Sequence, residues 1–445
     1  MDFLVIFSFF GSLAGSALAF VVALSIIVFV HEYGHYIVGR WCGISAEVFS
    51  LGFGTVVWHR YDRHGTKWQI AVLPFGGYVR FAGDASAASE PDPKALAALG
   101  PIAARHTLDG APLWARALTI AAGPFFNFSF SIFIFTAFFM GQGIATNEAV
   151  VGSVKDTAPF AKALERGDLI LELGGQPVLD LVAFYKIAAT LTPQESTSYT
   201  VMRRGQELSV RGPYPFPAYV DQVQSRSAAL EAGLQERDLI LAVDGAQIYG
   251  FAQIVEKVKA AKGAPTTLTL ARQDQVFDVT LVPKLVDLPK ADGGFEQRWL
   301  LGITGGLAFE PMTRRTGPFE GIGLASFATW RIITTNLSGI GHLLTGAISS
   351  CNISGPIGIA QVSGDMARKG PLDFLRFLAI LSTAIGLMNL FPIPVLDGGH
   401  LVMLGYEAVV RRKPSAKLMG TIMRIGLIIL LALMAFAFSN DIFCP

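Results

Sequence analysis

The residues best able to do chemistry lie at positions 31 to 35, which read His-Glu-Tyr-Gly-His. Because positions i and i+4 of an α-helix share one face, His31 and His35 can bind the same metal ion. Glu32 lies beside them, where it is predicted to act as a general base towards a metal-bound water. Residues 3–30, directly before this motif, contain no Lys, Arg, His or Glu. The motif is therefore predicted to lie at membrane depth, where ionisable groups are costly and usually functional.

A second group of polar residues lies near the other end of the chain. Residues 389–400 read Asn-Leu-Phe-Pro-Ile-Pro-Val-Leu-Asp-Gly-Gly-His, and the two prolines interrupt helical hydrogen bonding. Backbone freed in this way is tolerated in a membrane only where protein or a water-filled cavity surrounds it. Asp397 is therefore predicted to reach the depth of the two histidines. Two histidines and one carboxylate leave the fourth position of a tetrahedral zinc open, as catalytic zinc sites do. His400 is an alternative third ligand on chemical grounds.

Four apolar stretches are each close to the length that crosses a bilayer as a helix. The chain has 445 residues, is 52% hydrophobic and has a mean hydropathy of +0.48. These values exclude an ordinary soluble protein. The four stretches are residues 3–36, 118–140, 377–396 and 422–438. A further stretch, residues 318–348, is interrupted by charged residues and is predicted to form one or two amphipathic helices along the membrane surface.

The distribution of basic residues predicts the orientation of these spans. The loop after the first span carries eight Lys and Arg residues, the loop between the last two spans carries four, and none precedes the first span. The positive-inside rule then places both loops in the cytoplasm and both termini outside, together with residues 141–376. The net charge of +1 gives no basic field, so no nucleic-acid partner is expected.

The stretch predicted to lie outside the membrane contains an internal repeat. Residues 167–178 and 237–248 share an Asp-Leu-Ile-Leu string followed by a glycine and a β-branched residue. The two copies lie too far apart for a solenoid, which predicts two tandem globular domains. Their pattern resembles a PDZ domain, and that resemblance implies β-rich domains able to bind a peptide by strand addition. A steric gate over the membrane site and simple spacers are the alternative uses.

The two chemical motifs and the tandem repeat together resemble the site-two protease family of intramembrane metalloproteases, in its RseP branch from Gram-negative bacteria. The resemblance implies one zinc ion (Zn2+) per chain, bound by His31, His35 and Asp397. It implies that Glu32 is the catalytic general base and that Asn389 orients the substrate.

Two further segments match this family and imply contacts with substrate. Gly123 and Asn127 match a G-x-x-x-N pattern, for which helix packing by small residues is the alternative interpretation. Residues 75–80 resemble the edge of a membrane-entering β-hairpin near the metal, which could pair with an unwound substrate; a surface turn is the alternative. The residues of this edge expected to contact substrate are Phe75, Gly76, Gly77 and Tyr78.

The resemblance implies an enzyme that hydrolyses peptide bonds within transmembrane segments of single-span proteins, in the bacterial inner membrane. Its implied substrates are an anti-sigma factor already shortened outside the membrane, as part of envelope-stress signalling, and remnant signal peptides. A non-enzymatic membrane scaffold and a metal transporter are the alternative classes. A scaffold needs no general base at membrane depth, and a transporter needs ligands along a path through the bilayer.

The predicted fold is a polytopic α-helical membrane protein with four transmembrane helices, a β-hairpin region and two tandem β-rich PDZ domains. Cys351 and Cys444 lie on the same predicted side, where an oxidising compartment would allow them to pair. The predicted boundaries are 1–140 for the N-terminal membrane region, 141–212 and 213–285 for the PDZ domains, 286–375 for a periplasmic linker with amphipathic helices, and 376–445 for the C-terminal membrane region.

Overall fold

A computed structural model describes residues 13–84, 101–155, 163–273, 275–289 and 295–444. Contacts divide the chain into two units. The first unit comprises Met1–Phe138, Pro318–Gly341 and Ile353–Pro445, and the second comprises Phe139–Gly317 and His342–Asn352.

The α-helices of the described residues are α1 (Leu13–Trp41), α2 (Pro101–Ala104), α3 (Leu113–Gln142), α4 (Leu181–Thr190), α5 (Ala228–Glu231), α6 (Phe251–Ala261), α7 (Pro318–Leu344), α8 (Pro356–Lys369), α9 (Pro371–Asn389), α10 (Asp397–Val410) and α11 (Ala416–Phe443). The strands are β1 (Ala46–Tyr61), β2 (Lys67–Phe81), β3 (Ile144–Ala145), β4 (Val151–Val154), β5 (Leu169–Leu173), β6 (Gln176–Pro177), β7 (Ser196–Arg203), β8 (Gln206–Pro213), β9 (Gln222–Val223), β10 (Leu239–Val243), β11 (Ala246–Gln247), β12 (Thr266–Arg272), β13 (Gln275–Leu281), β14 (Lys284–Pro289), β15 (Phe295–Leu300), β16 (Ile303–Thr304), β17 (Phe309–Pro311) and β18 (Thr313–Arg314).

Four helices of the described residues are long and apolar enough to cross a membrane, namely α1, α3, α9 and α11. At 1.5 Å per residue, the 19 residues of α9 span about 28 Å and the 29 residues of α1 about 43 Å. Both lengths match or exceed a hydrocarbon core of about 30 Å once interfacial residues are included. Each predicted span therefore overlaps a candidate membrane helix, although residues 3–12 of the first lie outside the described residues and the helices extend beyond most of the apolar stretches.

The third span ends earlier than its apolar stretch. Helix α9 stops at Asn389, and helical structure resumes only at Asp397, the first residue of α10. The prolines at 392 and 394 lie in the interval and remove two backbone donors that a continuous helix would need. The apolar stretch 377–396 is thus a helix followed by an irregular turn, and this turn places Asp397 at a helix start.

The first unit is tied together by contacts between helices that are distant in sequence. A Cβ atom on Gly364 of α8 would lie 2.1 Å from the Ser16 hydroxyl of α1, so these two helices meet at close range. The carboxylate of Asp441 in α11 accepts the backbone N–H groups of residues 355, 357 and 358 at the start of α8. These contacts hold α8 against α11 and against α1, the helix that carries the first motif.

Strands β1 and β2 are both long and bent, so two strands build a sheet four segments wide. Residues 48–51 of β1 pair on one side with residues 67–70 of β2 and on the other side with residues 77–80. Phe49 stacks on Trp68 at a ring separation of 4.2 Å, and Phe49 is 1% exposed. Among the described strands, residues 77–81 pair with β1 alone, so their second edge has no strand partner.

The second unit contains the two repeats, and each has a four-stranded sheet and one helix of at least ten residues. The sheet orders are β6-β5-β7-β8 with α4 and β11-β10-β12-β13 with α6. The repeated aspartates, Asp168 and Asp238, are 1% and 0% exposed. Asp168 is paired with Arg203 at 2.7 Å, and Asp238 with Arg272 at 2.6 Å. Each copy of the Asp-Leu-Ile-Leu string therefore supplies one buried isoleucine, Ile170 or Ile240, to its core and one buried aspartate to an ion pair.

A segment that the sequence placed in the linker completes both repeats. Strand β16 pairs with β9, and Leu301 beside it belongs to the apolar core of the second repeat. Strand β17 pairs with β4, and Leu307 and Phe309 belong to the core of the first repeat. The repeat pattern does not predict β16 and β17, because the apolar residues of these two strands lie downstream of both copies.

Residues 318–344 form one unbroken helix, α7, which is not among the candidate spans of the described residues. Its buried side is made of Gly321, Ala325 and Thr329, whereas Phe327 and Trp330 are about 60% exposed. The prediction of an amphipathic helix is consistent with this division. Cys42 is a free cysteine, whereas Cys351 and Cys444 are disulfide-bonded.

Candidate metal centre

Helices α1 and α10 bring His31, His35 and Asp397 to one point. The Nε2 atoms of the two histidines are 3.2 Å apart, and they lie 3.1 and 3.4 Å from Asp397 Oδ2. In a tetrahedral zinc site with bonds of 2.0–2.1 Å, two ligand atoms are about 3.3 Å apart. The three observed separations agree with that value. Among the described residues, these three form the one group of His, Cys, Asp and Glu side chains placed to hold a metal ion.

Hydrogen bonding orients His35 for this purpose. Its Nδ1 atom lies 2.8 Å from the carbonyl oxygen of Thr119 in α3. A carbonyl only accepts, so Nδ1 carries the ring proton and Nε2 offers its lone pair to the centre. No sequence signal reveals this partner, because any residue type at position 119 supplies the same carbonyl.

His31 has a different partner, the amide of Asn127 in α3. Asn127 is 0% exposed, and its Nδ2 lies 3.3 Å from His31 Nδ1. Its Oδ1 is buried without a hydrogen-bond partner among the described residues. When Nε2 of His31 binds a metal, the ring proton is on Nδ1. If the Asn127 amide is rotated so that Oδ1 and Nδ2 exchange places, Oδ1 accepts a hydrogen bond from that Nδ1–H group.

Asp397 is fixed by the tight turn that precedes it. A Cβ atom on Gly398 would lie 2.3 Å from the carbonyl oxygens of Leu390 and Phe391, and one on Gly399 would lie 2.3 Å from that of Ile393. The irregular segment can therefore fold back onto the start of α10 only when these two positions lack side chains. This close packing sets where the carboxylate of Asp397 points.

The donor set fits a zinc ion. Asp397 Oδ2 is buried, and no described group donates a well-formed hydrogen bond to it. It lies beside two imidazole nitrogens that also present lone pairs when their Nδ1 atoms are protonated. Three electron-pair donors that converge in a buried site need a shared cation. Two nitrogens and one oxygen are a ligand set of catalytic zinc, which keeps a further position open.

Glu32 lies between this centre and the β-sheet. Its side chain accepts a hydrogen bond from the backbone N–H of Val79 in β2. A Cβ atom on Gly77 would lie 3.2 Å from Glu32 Cγ and 2.8 Å from a methyl carbon of Val28, so the strand passes very close to α1. The edge formed by residues 77–81 is therefore adjacent to the carboxylate that the sequence assigns as the general base.

The other residues expected at the site lie in several places. Gly123 faces the two imidazoles, since a Cβ atom there would be 2.2 Å from His35 Nε2. Asn389 ends α9 and donates its amide to the carbonyl of Ile385. Phe75 is 61% exposed, and Tyr78 stacks on Phe53, whose ring also lies against Gly76. His400 is not part of the metal-binding group of the described residues.

Comparison with known proteins identifies the family. The profile of peptidase family M50 matches residues 19–433. The regulator of sigma-E protease RseP from Escherichia coli (strain K12) is 33% identical over 454 residues, covering 95% of this chain and 97% of the relative. The protein of the same name from Salmonella typhimurium (strain 14028s) has the same identity and coverage. A protein of Rhizobium meliloti, whose name reads "Putative zinc metalloprotease", is 34% identical over 95% of both chains. The chain therefore belongs to peptidase family M50 and is a zinc metalloprotease.

Proposed function

We propose that the protein is an intramembrane endopeptidase, which hydrolyses peptide bonds within the transmembrane segments of single-span membrane proteins. The observation that supports this most strongly is the convergence of His31, His35 and Asp397 within 4.8 Å of one another. His31 and His35 lie inside the candidate span α1, and Asp397 begins α10 after the irregular turn that follows the candidate span α9. A hydrolytic centre at that depth acts on substrate that is itself in the membrane.

The proposed mechanism assigns a distinct task to each residue around the centre. His31, His35 and Asp397 would hold the zinc ion through two imidazole nitrogens and one carboxylate oxygen. A bound zinc ion supplies a Lewis acid for the scissile carbonyl and makes water acidic enough to lose a proton near neutral pH. Glu32 accepts that proton and later delivers it to the leaving nitrogen. The N–H of Val79 holds the carboxylate of Glu32 in place for both transfers.

The substrate must be unwound before its carbonyl can reach the centre. An intact transmembrane helix uses its carbonyls in its own hydrogen bonds, and exposing one in lipid costs several kcal/mol. Among the described strands, residues 77–81 pair with β1 on one side only, so their other side offers replacement backbone hydrogen bonds beside Glu32. We assign substrate binding to this edge, with Asn389 as a further contact from the end of α9.

The hairpin and the second unit are proposed to select what reaches the centre. Phe75, beside Gly76 and Tyr78, joins Val72 and Leu73 in a surface of exposed apolar side chains on the hairpin, which suits contact with the bilayer or with the substrate span. The two repeats are proposed to be PDZ domains that exclude bulky ectodomains or bind a peptide, with boundaries near 141–212 and 213–285. The names of the relatives favour an anti-sigma factor as substrate, and remnant signal peptides have the same single-span form.

The proposed placement is the bacterial inner membrane, with both termini and the two repeats on the periplasmic side. The excess of Lys and Arg in the two loops assigned to the cytoplasm supports this orientation. Disulfide-bonded Cys351 and Cys444 support the same assignment, because disulfides persist in oxidising compartments.

Cleavage of a purified reporter tests the function. The reporter is a single-span protein, reconstituted with the enzyme in vesicles, and cleavage is located by mass spectrometry of the products. Glu32→Gln is expected to retain zinc but to lose turnover by at least 10²-fold, the lower end for a missing general base. Glu256→Gln, an exposed change on α6, is the matched control and should cleave like the wild type. Zinc-loaded wild type that leaves every reporter intact, or Glu32→Gln that cleaves normally, would contradict the proposal.

A second pair of reporters tests the unwinding step. One reporter has a span of leucines, and the other has two glycines at the centre of the same span. Glycine weakens a helix by about 1 kcal/mol per residue relative to alanine, so two glycines favour cleavage by roughly tenfold or more. Equal cleavage of both spans would show that unwinding does not limit the reaction.

A further inference from the structure

A buried ion pair joins the second and the penultimate long helices of the first unit. Arg116 of α3 donates through Nη1 to Glu407 Oε2 at 3.0 Å and through Nη2 to Oε1 at 2.6 Å. The two side chains are only 9% and 15% exposed. A guanidinium and a carboxylate that meet through two parallel hydrogen bonds fix both distance and angle between their helices.

Through Glu407, this ion pair fixes the position of α10, the helix that carries the third metal ligand. Asp397 is the first residue of α10, and Glu407 lies ten residues later, about 15 Å along the same helix. The buried residues of α10 are Gly398, Gly399 and Leu404, so one leucine is its only large buried apolar side chain. Close packing of the two glycines fixes the start of α10, whereas the described contact that fixes its far half is the ion pair.

On the other side, the pair is anchored beside the partner of His35. Arg116 precedes Thr119 by three residues, about one turn of α3. The carbonyl of Thr119 accepts the Nδ1 proton of His35. One turn of α3 therefore holds both a ligand histidine and the helix of Asp397, and it sets the distance between the two halves of the metal centre.

The stability of the fold does not by itself account for such a pair. Desolvation offsets most of the attraction of a buried ion pair, and apolar side chains of similar volume often stabilise a protein as well. Two parallel hydrogen bonds supply a direction that apolar contact lacks. A metal site requires that direction, because ligand distances must be held within about 0.2 Å.

We propose that Arg116 and Glu407 are positioning residues that hold Asp397 at zinc-binding distance from His31 and His35. The inference rests on the proposed zinc ligands but not on the substrate or on catalysis. The two residues lie on different helices and are remote from the metal. The proposal predicts that removing either charge weakens zinc binding and that exchanging the two charges restores it.

The test measures zinc affinity by competition with a chromophoric chelator, on the full-length protein in detergent. Arg116→Gln and Glu407→Gln are each expected to weaken zinc binding by at least tenfold, the lower range for losing a partner of a ligand. The charge-swapped double variant R116E/E407R is expected to recover affinity to within about threefold of wild type. Arg116→Lys should lie between, because an ammonium cannot make two parallel bonds.

A cobalt(II) spectrum distinguishes positioning from a general loss of structure. In the single variants the visible bands of the bound cobalt ion should shift or weaken, because Asp397 no longer occupies its place, and the double variant should restore them. Lys413→Gln is the matched control. Lys413 forms a more exposed ion pair with Asp109 at 2.8 Å just beyond α10, and its loss should leave both readouts unchanged.

Several outcomes would overturn the inference. Folded single variants that bind zinc and cobalt like the wild type would do so, as would a folded double variant that stays as weak as the singles. If the single variants do not accumulate, the comparison of R116E/E407R with wild type decides alone. Wild type that binds one zinc but cleaves nothing would instead refute the proposed function and leave this inference standing.

Discussion

A single methyl group at position 123 is expected to abolish zinc binding. In α3, a Cβ atom on Gly123 would lie 2.2 Å from Nε2 and 2.6 Å from Cε1 of His35, and 2.8 Å from Cε1 of His31. Ordinary contact begins at 3.4 Å, so the methyl group is too close to His35 Nε2 by about 1.2 Å. The substitution Gly123→Ala therefore requires His35 to move, and Nε2 is the atom that binds the metal.

The size of that displacement sets the expected effect. Metal sites tolerate changes of about 0.2 Å in ligand distance, so a shift of about 1.2 Å removes His35 from the ligand set. Loss of a ligand should exceed the 10–100-fold reduction in affinity caused by losing an outer partner. Overpacking costs about 1–3 kcal/mol, and replacing glycine by alanine within a helix returns about 1 kcal/mol. The variant should therefore remain folded while it loses zinc.

The assay is elemental analysis of zinc per chain, with thermal unfolding of the same sample. Gly141→Ala on the same helix is the matched control, because no described atom lies within 4 Å of the added Cβ. It should keep one zinc per chain and be at least as stable as the wild type. Gly123→Ala that still holds one zinc at wild-type affinity would refute the assignment of His35 Nε2 to the metal.

Three further results are expected. Asn127→Leu should weaken zinc binding by about 10–100-fold in chelator competition, because His31 loses its buried partner; unchanged affinity would return Asn127 to a substrate or packing role. Arg272→Met should lower the free energy of unfolding of the second unit by about 3–5 kcal/mol, since it leaves buried Asp238 unpaired, whereas exposed Arg204→Met should change it by under about 0.5 kcal/mol, both measured by denaturant titration. Burial alone would raise the pKa of Asp62, but hydrogen bonds from a tyrosine, an indole and two backbone N–H groups lower it to about 2, from 3.8. The contribution of ionised Asp62 to stability is thus complete above about pH 4 and is lost as the pH falls towards 2. In Asp62→Asn, this part of the pH dependence of the melting temperature should be absent.

The sequence predicted the parts of this molecule whose chemistry lies in side-chain type and spacing. His31 and His35 are one helical turn apart, so their convergence follows from helix geometry alone. Asp397 could be placed with them because prolines interrupt the span before it and an isolated carboxylate at that depth needs a partner. The structure brings these three side chains together.

The parts that could not be predicted depend on backbone atoms or on contacts between distant residues. The carbonyl of Thr119 has no sequence signature, and the pairing of Arg116 with Glu407 joins helices that are 291 residues apart. Strands β16 and β17 add to sheets whose own repeats end long before them, so the repeat pattern cannot reveal them. The C-terminal end of the third span was predicted too late in the sequence, because an apolar turn and an apolar helix have the same amino-acid composition.

The division of the metal centre between the two ends of the chain has a consequence for when the protease becomes active. His31 and His35 lie on one rigid helix and keep their separation whether or not the rest of the chain is assembled. Asp397 reaches them only when the irregular turn is packed and α10 lies against α3. Two imidazoles alone bind zinc less tightly and leave more positions open than the set that includes the carboxylate. We therefore expect hydrolytic activity only after the last helices have inserted and docked.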